Sequence, residues 1–188
     1  MGFTESRFGE LTEIRDERMR GKDNQWVRPH PGPFVWNQIE KSQGSFSWDK
    51  SDQYVVYAQE NNQTILATIW PYANWEQKLC KRKKGRSPFG KHFAKYLSKP
   101  CSMENYKTFL LALVDRYDGD GNNDMPGLTK PITYWEIMNE PEFKMFFKGN
   151  FVRGGRSVAR CPKPHFYLKF IRFFFDMTQY FSRVFSIF

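Results

Sequence analysis

The chain has 188 residues, enough for one domain with a sizeable core. Its 40% hydrophobic and 26% charged residues fit neither a disordered tail nor a membrane bundle, and no window approaches the roughly 18 uncharged apolar residues of a membrane span. The net charge of +9 is uneven: residues 1–142 hold 20 Lys+Arg against 19 Asp+Glu, whereas 143–188 hold 9 against one acid, Asp176. The body is therefore close to neutral, and a basic final quarter is not the footprint of a nucleic-acid partner.

The N-terminal stretch MGFTESRFGELTEIRDERMR lacks the apolar run of a signal peptide. Within it, Leu11, Ile14 and Met19 among many charges predict a weakly amphipathic helix over 9–22, with Gly21 placed to end it. Trp26-Val27-Arg28-Pro29 reads as a short strand stopped by Pro29, Pro31 and Pro33. Residues 34–48 read as an irregular loop with apolar anchors. A helix is predicted over 49–61, with Tyr54, Val55 and Ala58 inward and Asn61-Asn62 at its end. The run Thr64–Trp70 suits a strand buried on both faces. The clearest helix follows Ser102, a good N-cap, with Glu104 in the first turn. Tyr106, Phe109, Leu110, Leu113, Val114 and Tyr117 form its apolar stripe. Ile132–Met138 is the next strand. Helix and strand alternate with connections long enough for right-handed crossovers, which predicts an α/β fold with parallel strands. At the end, Phe166, Phe170, Phe173, Met177, Phe181, Val184 and Phe188 follow at steps of four and three, a helical period over 165–188.

Three cysteines, Cys80, Cys101 and Cys161, form no CxxC pair, and His30, His92 and His165 are not spaced for zinc, so no metal or other cofactor is expected. Cys80 and Cys101 bracket the basic stretch KRKKGRSPFGKHFAKYLSKP; they are either a loop-closing disulfide or two free thiols. A disulfide would mean an oxidising compartment, so a secreted or cell-surface protein, and would leave Cys161 unpaired. Asp118, Asp120, Asn122 and Asp124 alternate like the start of a calcium loop. The twelfth position is Thr129, which cannot supply a bidentate carboxylate, so the segment reads as a turn. Lys81-Arg82-Lys83-Lys84 reads as a solvated loop.

The chemistry concentrates where the strand ending at Met138 runs into Asn139-Glu140-Pro141. A carboxylate at the carboxyl end of a parallel strand is where barrel enzymes keep catalytic groups. The segment TYWEIMNEPEF resembles the fourth-strand motif of clan A retaining glycoside hydrolases, which are (β/α)8 barrels. WVRPHPGPFVWNQIE resembles their second strand and its loop. SWDKSDQYVVYAQENNQTILATIWPYANWEQ resembles the second helix, third strand and aromatic loop, and ENYKTFLLALVDRY the third helix. The resemblance covers about residues 9–150. It implies that residues 1–150 are the N-terminal half of such a barrel, cutting O-glycosyl bonds in poly- or oligosaccharides. Glu140 would be the acid/base that protonates the leaving oxygen and then activates water. Asn139 would hydrogen-bond the sugar 2-hydroxyl, and Arg28 would steady the nucleophile carboxylate. Trp70 and Trp75 would offer flat faces to sugar rings.

The chain departs from that pattern after about the fourth β/α unit. No segment resembles strands five to eight, so the nucleophile, which belongs on the seventh strand, is absent from this sequence. Glu136, on the same strand as residue 140, and Glu142, just after it, do not replace it. The resemblance thus implies half of an active site. Two functions follow: a glycoside hydrolase-like enzyme that is incomplete here, or a carbohydrate-binding half-barrel without turnover. Residues 151–188 are either the fourth barrel helix in a Phe-rich version or a non-native ending. Their apolar stripe favours self-association, and adsorption of this basic tail to a membrane surface is a third reading.

Overall fold

A computed structural model describes residues 3–4, 25–81, 97–139, 147, 157–160 and 167–170. The fold is mixed α/β. Its centre is a parallel sheet of β2 (Gln25–Val27), β5 (Gln63–Ile69) and β6 (Tyr134–Ile137), with β5 in the middle. β1 (Phe3–Thr4) extends it in parallel beside β2. β8 (Tyr167–Phe170) pairs in parallel with β6, and β7 (Ser157–Arg160) pairs antiparallel with β8. The helices are α1 (Trp36–Ile39), α2 (Asp49–Glu60), α3 (Asn74–Leu79) and α4 (Met103–Asp115); β3 (Glu40–Ser42) and β4 (Ser45–Phe46) form a separate hairpin.

The pleat sorts the sheet into two faces. Ile65, Ala67 and Ile69 on β5 and Trp135 and Ile137 on β6 point one way and are buried. This face lies under the helices. Phe34 is the hub, meeting Tyr54 of α2, Tyr117 after α4 and Trp135 edge-on, with ring centroids 5.9–6.4 Å apart. Trp36 joins α4 to the same core by stacking on Phe109 at 5.4 Å. The other face carries Trp26, Thr64, Leu66 and Tyr134, all half-buried, with Trp26 edge-on to Tyr134 at 4.6 Å.

The predicted strands and the helices over 49–61 and after 102 form, with Tyr54, Val55 and Ala58 inward. Asn61 caps α2, and Asn62 takes the left-handed φ of 52° that turns the chain into β5. Ser102 caps α4 by accepting the Asn105 N–H, and Tyr106, Phe109, Leu110, Leu113 and Tyr117 are buried along the stripe. β5 is buried on both faces only from Ala67 onward; before that, burial alternates.

Two expectations need correction. Residues 34–48 are ordered into α1 and the β3–β4 hairpin, because the chain after β2 turns back along the end of β5. Trp36 N–H donates to the Trp70 carbonyl at 3.0 Å and Trp70 N–H to the Phe34 carbonyl at 3.1 Å. Gly32, with φ +66°, makes that return; a Cβ there would lie 2.6 Å from Pro29 Cβ and 2.8 Å from Pro29 O. The second concerns the tail. The helical period over 165–188 does not describe Tyr167–Phe170, which form β8, and Ser157–Arg160 before them form β7. An unpaired edge of β6 offers backbone donors and acceptors, and the segment Tyr167-Leu168-Lys169-Phe170, with two aromatic residues suited to a strand, satisfies them. The helix over 9–22 and the remainder of the tail lie outside the described residues.

Cys80, the C-cap of α3, and Cys101, just before α4, form a disulfide with Cα atoms 5.7 Å apart. Glu76 accepts the Ser102 N–H at 2.6 Å, and Gln77 Nε2 donates to the carbonyls of Ser98 and Lys99. The α3–α4 junction is thus held covalently and by polar ties. Among the described residues no helix is long and apolar enough to cross a membrane.

Candidate functional site

The half-buried face of the sheet carries a polar cluster at the carboxyl ends of its strands. Arg28 continues the alternation of β2, Thr68 sits near the end of β5, and Glu136 is its register partner on β6. The period of two puts all three side chains on the same face. Arg28 reaches over β5 to β6. Its Nε donates to Glu136 Oε2 at 2.8 Å, and Nη2 lies 2.7 Å from the same oxygen. Nη2 also donates to Asn139 Oδ1 at 2.8 Å. Thr68 Oγ1 donates to Glu136 Oε2 at 3.2 Å. The side chains of Arg28 and Glu136 are 15% and 8% exposed, so the ion pair works in a partly dehydrated setting, where charge-assisted hydrogen bonds are strong.

The backbone brings Asn139 to this cluster. Met138, fully buried, has φ 60°, a left-handed conformation that costs a non-glycine residue about 1–2 kcal/mol. Its N–H remains tied to the Ile69 carbonyl at 2.9 Å, so the strand pairing persists up to the kink. Tyr72 places its hydroxyl 3.7 Å from the Met138 sulfur, and burial holds the Tyr72 phenol well above its ordinary pKa, hence neutral.

Two other buried carboxylates show what a structural role looks like here. Glu40 accepts the Trp36 indole N–H and the Gly44 backbone N–H, closing the β3–β4 hairpin. Glu76 serves the entry to α4. Glu136 differs, since it faces a cation and, through that cation, a carboxamide.

The structure therefore joins two of the predicted site residues, Arg28 and Asn139. Glu140 and Glu142 lie outside the described residues. The carboxylate that Arg28 holds is Glu136, on the same sheet two strands away. The sequence contains the signal for this: Glu136 alternates with Trp135 and Ile137, so a lone charge sits on a strand whose other face is core. Trp70 is fully buried, 5.4 Å from His30 and 6.1 Å from Tyr72, which makes its ring part of the core rather than an open sugar platform. The chain at Trp70 is also tied to the Phe34–Trp36 segment through its backbone N–H and carbonyl. Trp75 is half-buried, edge-on to Trp36, and its Nε1 donates to the Glu40 carbonyl at 3.0 Å.

One carboxylate oxygen each from Asp118, Asp120 and Asp124 lies within 4.8 Å of the others. These groups accept backbone amides: Asp118 that of Asp120, Asp120 that of Asn122, and Asp124 those of Gly119 and Gly121. They form the turn read from the sequence.

No protein-family model matches the chain, and no curated protein matches it in sequence.

Proposed function

We propose that this chain is a glycoside hydrolase-like protein whose sheet is a section of a (β/α)8 barrel. It acts on O-glycosyl bonds of poly- or oligosaccharides by retaining acid/base chemistry. In this reading Glu140 protonates the leaving oxygen and later takes a proton from water, while Asn139 donates a hydrogen bond to the sugar 2-hydroxyl. The observation that carries it is the bond from Arg28 to Asn139, made at the carboxyl ends of parallel strands, where barrel enzymes collect substrate-handling groups. The Cys80–Cys101 disulfide suits a secreted or cell-surface setting.

A retaining mechanism needs a second carboxylate about 5–5.5 Å from the first, on the opposite wall. Glu136 shares its strand with the approach to residue 140 and is engaged by Arg28 and Thr68, so it does not supply that wall. This favours a second reading, a carbohydrate-binding half-barrel that leaves the bond intact. Incubation of the chain with aryl β-glucosides, β-xylosides and β-mannosides separates the two. Phenol release abolished in Glu140→Gln is the expected result for the enzyme. Titration with the matching tetrasaccharides reports binding without release for the second reading. Neither release nor binding overturns both.

A further inference from the structure

We propose that Glu136 is a positioning residue which, through Arg28, decides which end of the Asn139 carboxamide points away from the sheet. The functional meaning rests on the reading above, in which Asn139 donates to a sugar hydroxyl.

A carboxamide is nearly symmetric in shape, so its hydrogen-bond partners decide how it is turned. A guanidinium carries donors only. An amide held 2.8 Å from Arg28 Nη2 must present Oδ1 to it, and both Nδ2 donors then face away. Among the described residues Nδ2 donates to no group. This selection requires that Arg28 stay where it is. Glu136 holds it there through Nε and Nη2, both on Oε2, and Thr68 fixes that oxygen from the neighbouring strand. Nη2 is the shared atom: it lies 2.7 Å from Glu136 and 2.8 Å from Asn139. Removing the carboxylate would take from the guanidinium the bonds that Nε and Nη2 make to Oε2. The guanidinium would then shift and loosen its hold on Oδ1. The kink at Met138 would still deliver Asn139 to the same place, because backbone bonds set it, but the amide would no longer be held one way round.

The test is a proton–nitrogen correlation spectrum of the full chain. The Asn139 side-chain NH2 pair is assigned by its disappearance in Asn139→Ala. The Asn61 pair, whose Nδ2 donates to the Tyr57 carbonyl at 2.8 Å, reports the fold. In Glu136→Ala the Asn139 pair is expected to lose its distinct shifts and converge on those of a free carboxamide, with the Asn61 pair unmoved. Glu136→Gln keeps an acceptor for Arg28 and is expected to restore the Asn139 pair. An unmoved Asn139 pair in Glu136→Ala overturns the proposal, and so does a Gln variant that behaves like Ala. Should Glu136→Ala also lose the Asn61 pair, Glu136→Asp decides: withdrawing the carboxylate by one methylene is expected to displace the Asn139 pair, and no displacement overturns the proposal. Sugar is not present, so a responsive Asn139 pair in a chain that neither binds nor cuts glycosides keeps the positioning role and removes only the functional reading.

Discussion

The Tyr106 hydroxyl is fully buried in the stripe of α4 and meets no hydrogen-bond partner among the described residues. Burying a hydroxyl without a partner costs about 1–3 kcal/mol, whereas the ring itself contributes packing against Trp36 at 5.3 Å. Tyr106→Phe should therefore raise stability by about 1 kcal/mol in urea unfolding at neutral pH. Burial also pushes the phenol far above its ordinary pKa. The unfolded chain ionises this tyrosine near pH 10, while the folded chain keeps the proton. The folded state then binds more protons, and stability falls as pH rises above about 10, by about 1.4 kcal/mol per pH unit from this group. The phenylalanine variant should lose that part of the alkaline slope; an unchanged slope would count against the buried, neutral phenol. Glu136 makes the opposite point about burial. A charge is tolerated on β6 because a cation and a hydroxyl meet it.

At the scale of elements, the entry to α4 gathers more interactions than any propensity requires. The Ser102 side chain accepts the Asn105 N–H at 3.2 Å, and its own N–H goes to Glu76. Ser102→Ala removes only the first and should cost about 1 kcal/mol in chemical denaturation. A cost near zero would mean that Glu76 and the disulfide hold the helix start without the cap. The other end of α4 is tied to α2 by Arg116, which grips Asp52 with Nε and Nη2 and lies 5.3 Å over the Trp48 ring. Tyr117 donates to the same Asp52 at 2.7 Å. These ties set the two helices on one face of the sheet and leave the opposite face for Arg28, Thr68 and Glu136.

For the whole molecule, the Cys80–Cys101 bond is a covalent restraint between the end of α3 and the start of α4. It spans 21 residues, and closing a loop of that size in the unfolded chain is worth about 3 kcal/mol. Reduction, or the Cys80→Ser/Cys101→Ser pair, should lower unfolding free energy by about that amount. A loss well below 1 kcal/mol would show that Glu76 and Gln77 already hold the junction.

Local pattern alone was sufficient for much of this architecture. The apolar run of β5, the stripe and cap of α4, and the Asn61-Asn62 end of α2 depend on residues within one or two turns of each other, and such signals survive in a sequence. The motif after β6 likewise marked Asn139 as a candidate, and the alternation of β2 put Arg28 at a strand end. Tertiary structure decided the rest. The partner of Arg28 lies 108 positions along the chain, on a strand that is not even adjacent in the sheet. Trp70 and Trp75 carry the residue type of a sugar platform, yet Trp70 is fully buried and the Trp75 indole N–H is tied to the Glu40 carbonyl. The Phe period over 165–188 fits a helix, but at Tyr167–Phe170 the open side of β6 was the stronger claim. In each case the deciding contact joins segments far apart in sequence. Periodicity records which side of an element is apolar, and it carries no record of what will be brought against it.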